Sequence, residues 1–89
     1  MPDRHLVICN KLGLHARASA RFAATASAYA CDVHLIKDGV EVNGKSIMGI
    51  MMLAAGKGSE ITIRAEGSNA EMALNALEQL VNERFGEAE

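Results

Sequence analysis

Between the runs DVHLIK (residues 32–37) and VEVN (residues 40–43) stands the pair Asp38-Gly39. Asp-Gly suits a two-residue turn that needs positive φ, and such a turn joins neighbouring antiparallel strands. In the first run Val33 and Leu35 alternate with His34 and Ile36, so one face of the hairpin is bound for a core. A hairpin in the middle of an 89-residue chain leaves room for one continuous core and one domain, spanning residues 1–89.

The segments on either side supply what can cover it. HLVIC (5–9) reads as a short buried strand, followed by Asn10, Gly13 and a change of period. After His15, the residues Ala18, Phe22, Ala26 and Tyr29 recur on one side of a helical wheel, with Arg17, Arg21 and Thr25 opposite. Ser46 stands at an N-cap position before a brief apolar helix that should stop by Gly56 or Gly58. Gly49 inside that helix costs about 1 kcal/mol relative to alanine, so packing must support it. EITIRAE (60–66) reads as a last strand with Ile61, Ile63 and Ala65 on one face. Ser68 and Glu71 suggest a capping box for a final helix whose inner stripe is Ala70, Ala73, Leu74, Leu77, Leu80 and Val81. Gly86 reads as its stop, and GEAE (86–89) as a loose tail.

The order β-α-β-β-α-β-α, with strands that mostly bury one face, implies an α+β two-layer sandwich with an antiparallel or mixed sheet. Pattern alone leaves strand order open, and its default is the ferredoxin-like split βαβ arrangement.

Composition narrows the function classes. Nine basic against eleven acidic residues give a formal charge of -2, which argues against a nonspecific nucleic-acid surface. The longest apolar tract, IMGIMMLAAG, is far short of the roughly 20 residues that span a bilayer, and MPDRH has no apolar signal core. The expectation is a soluble, cytoplasmic monomer. Cys9 and Cys31 form no CxxC pair and read most simply as small buried residues in a reducing compartment. A metal site built from Cys9, Cys31, His5 and His34 lacks paired local ligands, so no metal is expected. His5 and His34 themselves read as ordinary strand residues.

His15 is different. It falls where the loop NKLG turns into the alanine-rich helix, so the free N–H groups of the first helical turn point toward its neighbourhood. Arg17, two residues on, offers a fork of donors suited to phosphate oxygens. A neutral imidazole is a competent nucleophile near neutral pH. The chain shows no carboxylate pair at catalytic spacing, no Ser-His-Asp set, no Walker loop and no metal cluster. A histidine in anion-stabilising surroundings, without substrate machinery, fits a group carrier better than a turnover enzyme, and no cofactor is called for.

The motifs GLHARAS (13–19) and VNGKSIMGIMMLAAGKGSEI (42–61) lie in register. Together they make the chain resemble the histidine-containing phosphocarrier proteins, HPr, of the bacterial phosphoenolpyruvate-dependent phosphotransferase system, or their nitrogen-related paralogues, NPr. The resemblance covers essentially the whole chain. It implies an open-faced sandwich, a four-stranded antiparallel sheet ordered 1-4-2-3 with three helices on one face. It also implies that phosphorylated Enzyme I passes a phosphoryl group to Nδ1 of His15, which then delivers it to a histidine of a IIA protein. Arg17 and the amides of Ala16 and Arg17 would stabilise the phosphoryl charge. Many members carry proline where this chain has Ala18; alanine serves equally in a first helical turn.

Ser46 matches the position that HPr kinase/phosphorylase modifies in many relatives, although a plain N-cap is enough to explain a serine there. Ile47, Met48, Met51 and Met52 crowd more apolar surface onto a short helix than it can easily bury. With Arg17 and Arg21 nearby, they suggest a partly apolar, partly cationic docking face for acidic partners. Two other readings stay open: a regulatory signalling module of the nitrogen-related branch, and a small metal-sequestering domain.

Overall fold

The computed structural model of the protein describes residues 2–89. The chain runs β1 (Asp3–Val7), α1 (Ala16–Ser27), β2 (Asp32–Lys37), β3 (Val40–Asn43), α2 (Ile47–Met52), β4 (Glu60–Glu66) and α3 (Ala70–Asn82), then a 3-10 turn at Arg84–Gly86. The strands form one antiparallel sheet in the order β1-β4-β2-β3. Val33 and Leu35 of β2 and Ile61, Ile63 and Ala65 of β4 are buried beneath the helices, while Asp32, Thr62 and Arg64 belong to the open face. Phe22, Leu74, Leu77 and Val81 close the core from α1 and α3.

This order is the 1-4-2-3 open-faced sandwich, and it overturns the ferredoxin-like default. There β3 would lie between β1 and β2; here β4 does. The reason lies in the strands themselves. β3 has four residues, of which only Val42 is partly buried, so it can serve only as an edge. β4 has seven and buries every second one, and it is long enough to pair on both sides. The hairpin turns as Asp38-Gly39 requires, with φ of 51° and 80°.

Several sequence expectations need correction. The first strand occupies Asp3–Val7 rather than residues 5–9, and it is a half-buried edge with Val7 exposed. Its ladder runs from Asp3↔Arg64 to Val7↔Glu60 and ends where β4 begins. Cys31 is buried, but Cys9, just past the strand, is exposed and donates its Sγ–H to the carbonyl of Val81 at 3.3 Å. Tyr29 lies beyond α1, which ends at Ser27, and packs partly buried on the core. The Ser68–Glu71 capping box does not form. The chain turns from β4 into α3 through Gly67 and Asn69, both at positive φ, so Asn69 becomes the N-cap without a side-chain bond. Glu71 instead pairs with Arg4 of β1 at 3.0 Å, beside Glu78 at 3.2 Å.

The largest departure is at the C-terminus. Gly86 does not stop α3, which ends at Asn82. Arg84, Phe85 and Gly86 all take positive φ, Phe85 is fully buried, and residues 87–89 fold back onto the loop before α1. The tail is therefore docked, because burying an aromatic ring outweighs the freedom of a few polar residues.

Candidate functional site

The loop from β1 to α1 is built to hold His15. Ile8 is fully buried and anchors its start. Asn10, also fully buried, accepts the Gly13 N–H on its carbonyl and donates Nδ2 to the Gly13 carbonyl at 2.8 Å, closing a tight turn. Gly13 has φ +64°, and a Cβ there would collide with the Ala55 carbonyl and Gly56 Cα. Only glycine lets this turn lie against the segment after α2. Leu14 is then buried and donates its N–H to the Ala55 carbonyl at 2.8 Å. Ser19, buried in the second turn of α1, donates Oγ–H to the Leu14 carbonyl at 3.0 Å. His15 is thereby fixed between a pinned loop and a pinned helix.

His15 is the N-cap of α1, with extended backbone, and its side chain is 27% exposed. The ring stands on the helix end: Nδ1 accepts the N–H of Arg17 at 3.3 Å. On the other side Nε2 lies 2.5 Å from Oε2 of Glu87, on the folded-back tail. The ring opens onto a depression of about 650 Å³, lined also by Lys11, Leu12, Ala16, Arg17 and Glu89. The Arg17 guanidinium is exposed and has no ion pair or hydrogen bond among the described residues. A twelve-residue helix adds partial positive charge at this end. The arrangement suits a tetrahedral anion on or beside the ring.

Glu87 was not legible as a site residue, and its carboxyl is the most perturbed acid of the site. Desolvation pushes it up. The hydrogen bonds from Asn10 (Nδ2 to Oε1, 3.1 Å) and His15, with the charges of His15 and Arg17, outweigh that and hold it below the usual carboxylate range. The overlooked signal is Phe85: one of two phenylalanines in the chain, too apolar to be left in a free tail.

Ser46 caps α2, its Oγ accepting the Gly49 N–H at 3.1 Å. Ile50 alone of that helix is buried; Ile47, Met48, Met51 and Met52 are exposed by 44, 77, 43 and 80%. Leu12 beside His15 is 65% exposed. Ala16 is exposed at the first position of α1, and Ala18 is buried. Arg21 remains exposed as a residue, but Nη1 is engaged with the Phe85 carbonyl at 2.6 Å. His5 bonds Thr62 at 2.8 Å and His34 pairs with Glu41 at 3.2 Å, both across strands on the open sheet face. Among the described residues no three His, Cys, Asp or Glu side chains gather as a group that could hold a metal ion. No helix among them is long and apolar enough to cross a membrane.

The fold and site define a small open-faced α+β sandwich that presents a half-buried histidine at a helix N-terminus. A family model described as the phosphotransferase-system HPr component phosphorylation site matches residues 2–83. The chain is 50% identical to the phosphocarrier protein HPr of Pseudomonas aeruginosa, with 100% of both chains covered. It is 38% identical to the phosphocarrier protein NPr of Shewanella violacea, over 97% of this chain and 94% of that one. The crystal structure of HPr-C-His from Thermoanaerobacter tengcongensis superposes with a TM-score of 0.96, at 43% identity and full coverage of both chains. The chain belongs to the HPr family of phosphocarrier proteins of the phosphotransferase system.

Proposed function

We propose that this protein carries a phosphoryl group on Nδ1 of His15, accepting it from phosphorylated Enzyme I and passing it to a histidine of a IIA protein or domain. The observation that carries this reading is the His15 ring standing over the Arg17 amide at the start of α1, open to a depression and flanked by the exposed Arg17 guanidinium. Nδ1 attacks phosphorus and the donor's N–P bond breaks, its electron pair returning to the donor ring; as the new bond forms, the N–H groups of Ala16 and Arg17 and the Arg17 side chain receive the phosphoryl oxygens. Such transfer is mostly positioning and electrostatics. A carrier needs no more than that, and it is regenerated only by a second protein, so it is not a turnover enzyme.

Ile47, Met48 and Met51, with Arg17 and the free side of Arg21, form the docking face in this reading. Soft apolar side chains adapt to several partners, and the cations make association brief and salt-sensitive. Phosphorylation of Ser46 by HPr kinase/phosphorylase would place charge at the cap of α2 without unfolding it, acting on docking. The greater identity to the HPr relative than to the NPr relative supports a place in the sugar branch over a purely regulatory role in the nitrogen branch.

Incubation with Enzyme I, magnesium and phosphoenolpyruvate should yield an acid-labile, alkali-stable phosphate that maps to His15. Its absence, or its presence on another residue, would remove the carrier reading. A His15→Ala protein that still did its cellular work would favour the regulatory module.

A further inference from the structure

We propose that Glu87 is a positioning residue for His15: its carboxylate holds the imidazole in the tautomer that keeps the proton on Nε2 and leaves Nδ1 unprotonated, its lone pair able to exchange the Arg17 N–H for phosphorus. The proposal rests on His15 being the phosphoryl acceptor, and it adds a residue from a segment outside both sequence motifs.

Two contacts specify the same tautomer. The partner of Nδ1 is a backbone N–H, which has only a hydrogen to offer, so Nδ1 faces it with a lone pair. The partner of Nε2 is a carboxylate oxygen, which when ionised only accepts, so Nε2 carries the hydrogen. Glu87 is itself held in place. Its second oxygen accepts from Nδ2 of Asn10, and that same Nδ2 donates to the Gly13 carbonyl. The orientation of the buried amide is therefore fixed, since a rotated amide would turn its oxygen toward two acceptors. The tail is pinned on both sides of Glu87. Before it, Phe85 is buried and Arg21 grips the Phe85 carbonyl. After it, the Lys11 N–H donates to the Glu89 carbonyl at 2.9 Å, with the two side chains 3.8 Å apart. Asn10, Glu87 and His15 form a chain of orientation in which a buried amide sets a carboxylate and the carboxylate sets the ring.

The chemistry balances without a proton crossing between proteins. The Nδ1 lone pair attacks the phosphorus of a protonated N-phosphoimidazole on the donor. The donor N–P bond breaks, its electron pair returns to the donor ring, and that ring leaves neutral. His15 then carries phosphorus on Nδ1 and hydrogen on Nε2, with one positive charge on the ring. Glu87 faces that charge as it develops, and onward transfer reverses the step. The other charged groups around the ring are Arg17 from α1, Lys11 from the loop and Glu89 from the tail. None of these is hydrogen-bonded to Nε2.

The test compares wild type with Glu87→Ala and the isosteric Glu87→Gln, whose amide cannot accept from both Asn10 and His15. Imidazole 15N shifts of the neutral ring in the free protein should show Nε2–H in the wild type and a mixture of tautomers in both variants. Phosphorylation by phosphorylated Enzyme I should slow by about tenfold or more in both, the scale of one charge-assisted hydrogen bond. Backbone amide spectra unchanged outside the tail would show that the fold is kept. A wild-type ring protonated on Nδ1, unchanged tautomers in the variants, or a tautomer change with no loss of rate would each overturn the proposal. A wild type that takes no phosphoryl group would overturn the carrier reading and the transfer role with it. The tautomer comparison, made without Enzyme I, distinguishes that outcome from a Glu87 that does not hold the ring.

Discussion

The guanidinium of Arg21 donates Nη1 to the carbonyl of Phe85 at 2.6 Å, across 64 positions of sequence. The residues it steadies are strained: Arg84, Phe85 and Gly86 lie at φ of 57°, 56° and 79°. A left-handed residue other than glycine costs roughly 1–2 kcal/mol, so two in succession need compensation. Burial of the Phe85 ring and the Arg21 bond provide it. Arg21 sits on α1 less than two turns after His15, so one helix both presents the imidazole at its start and grips the strap that returns Glu87 to it.

Replacing Arg21 by alanine should therefore act on the tail more than on the core. The lost bond is worth about 1–2 kcal/mol, since one partner is charged and partly exposed. Hydrogen exchange of the amides from Phe85 to Glu89 should speed up, with α3 and the sheet unchanged. Unaltered protection in the tail would mean that Phe85 and the contacts of Glu87 and Glu89 hold it without Arg21.

Gly13→Ala should be among the most damaging small substitutions in the chain. The added methyl meets backbone at Ala55 and Gly56, which cannot swing aside, and the residue must also keep φ +64°. A cost of about 2 kcal/mol or more is expected from overpacking and backbone strain together. Urea unfolding measures it, and the His15 ring resonances should move in the same variant because the turn positions Leu14. An unchanged midpoint would show that the loop re-forms elsewhere.

Elements whose pattern is local were legible from sequence. Ile61, Ile63 and Ala65 alternate because β4 buries one face, Asp38-Gly39 turns because of its own φ preferences, and Ser46 caps α2 through an N–H three residues away. The place of His15 at the start of α1 was legible as well, since the loop, the helix start and Arg17 are neighbours in the chain. What depends on contacts far apart in sequence was not. Strand order follows from the short, exposed β3 losing the central place to β4, which no window around either strand reveals. Ser68 has the letter of a cap, but the chain spends Asn69 on a left-handed turn and starts α3 one residue later. Glu87 joins His15 only because Phe85, two residues before it, fills a gap in the core, which turns an apparent tail into part of the site.

Ser46 separates two effects of a side chain at the start of α2. Ser46→Ala removes the acceptor of the Gly49 N–H and should cost about 1 kcal/mol. Ser46→Asp keeps an acceptor and adds negative charge where the helix end favours it, so its stability should match or exceed wild type. Thermal melts of the three proteins test the order. An aspartate variant as unstable as the alanine one would show that α2 tolerates no charge at its cap.

Acid should weaken the hold of the tail in a way that one residue reports. The Glu87 carboxyl lies below its ordinary value of 4.5 in the folded protein, where Asn10 and His15 donate to it and Arg17 lies near. The folded state thus binds that proton less tightly than the unfolded chain does. The stabilisation is fully present above the unfolded value and is lost as pH falls through the lower, folded one. Subtracting the stability of Glu87→Gln from that of wild type cancels the carboxylates both proteins share, Glu89 among them. The difference should shrink from about pH 5 toward pH 3, as expected for a carboxylate with a depressed value. Urea midpoints at half-unit steps would show it, together with release of the tail amides over the same interval. A difference that stays flat to pH 3 would mean that the carboxylate contributes nothing to holding the tail against His15.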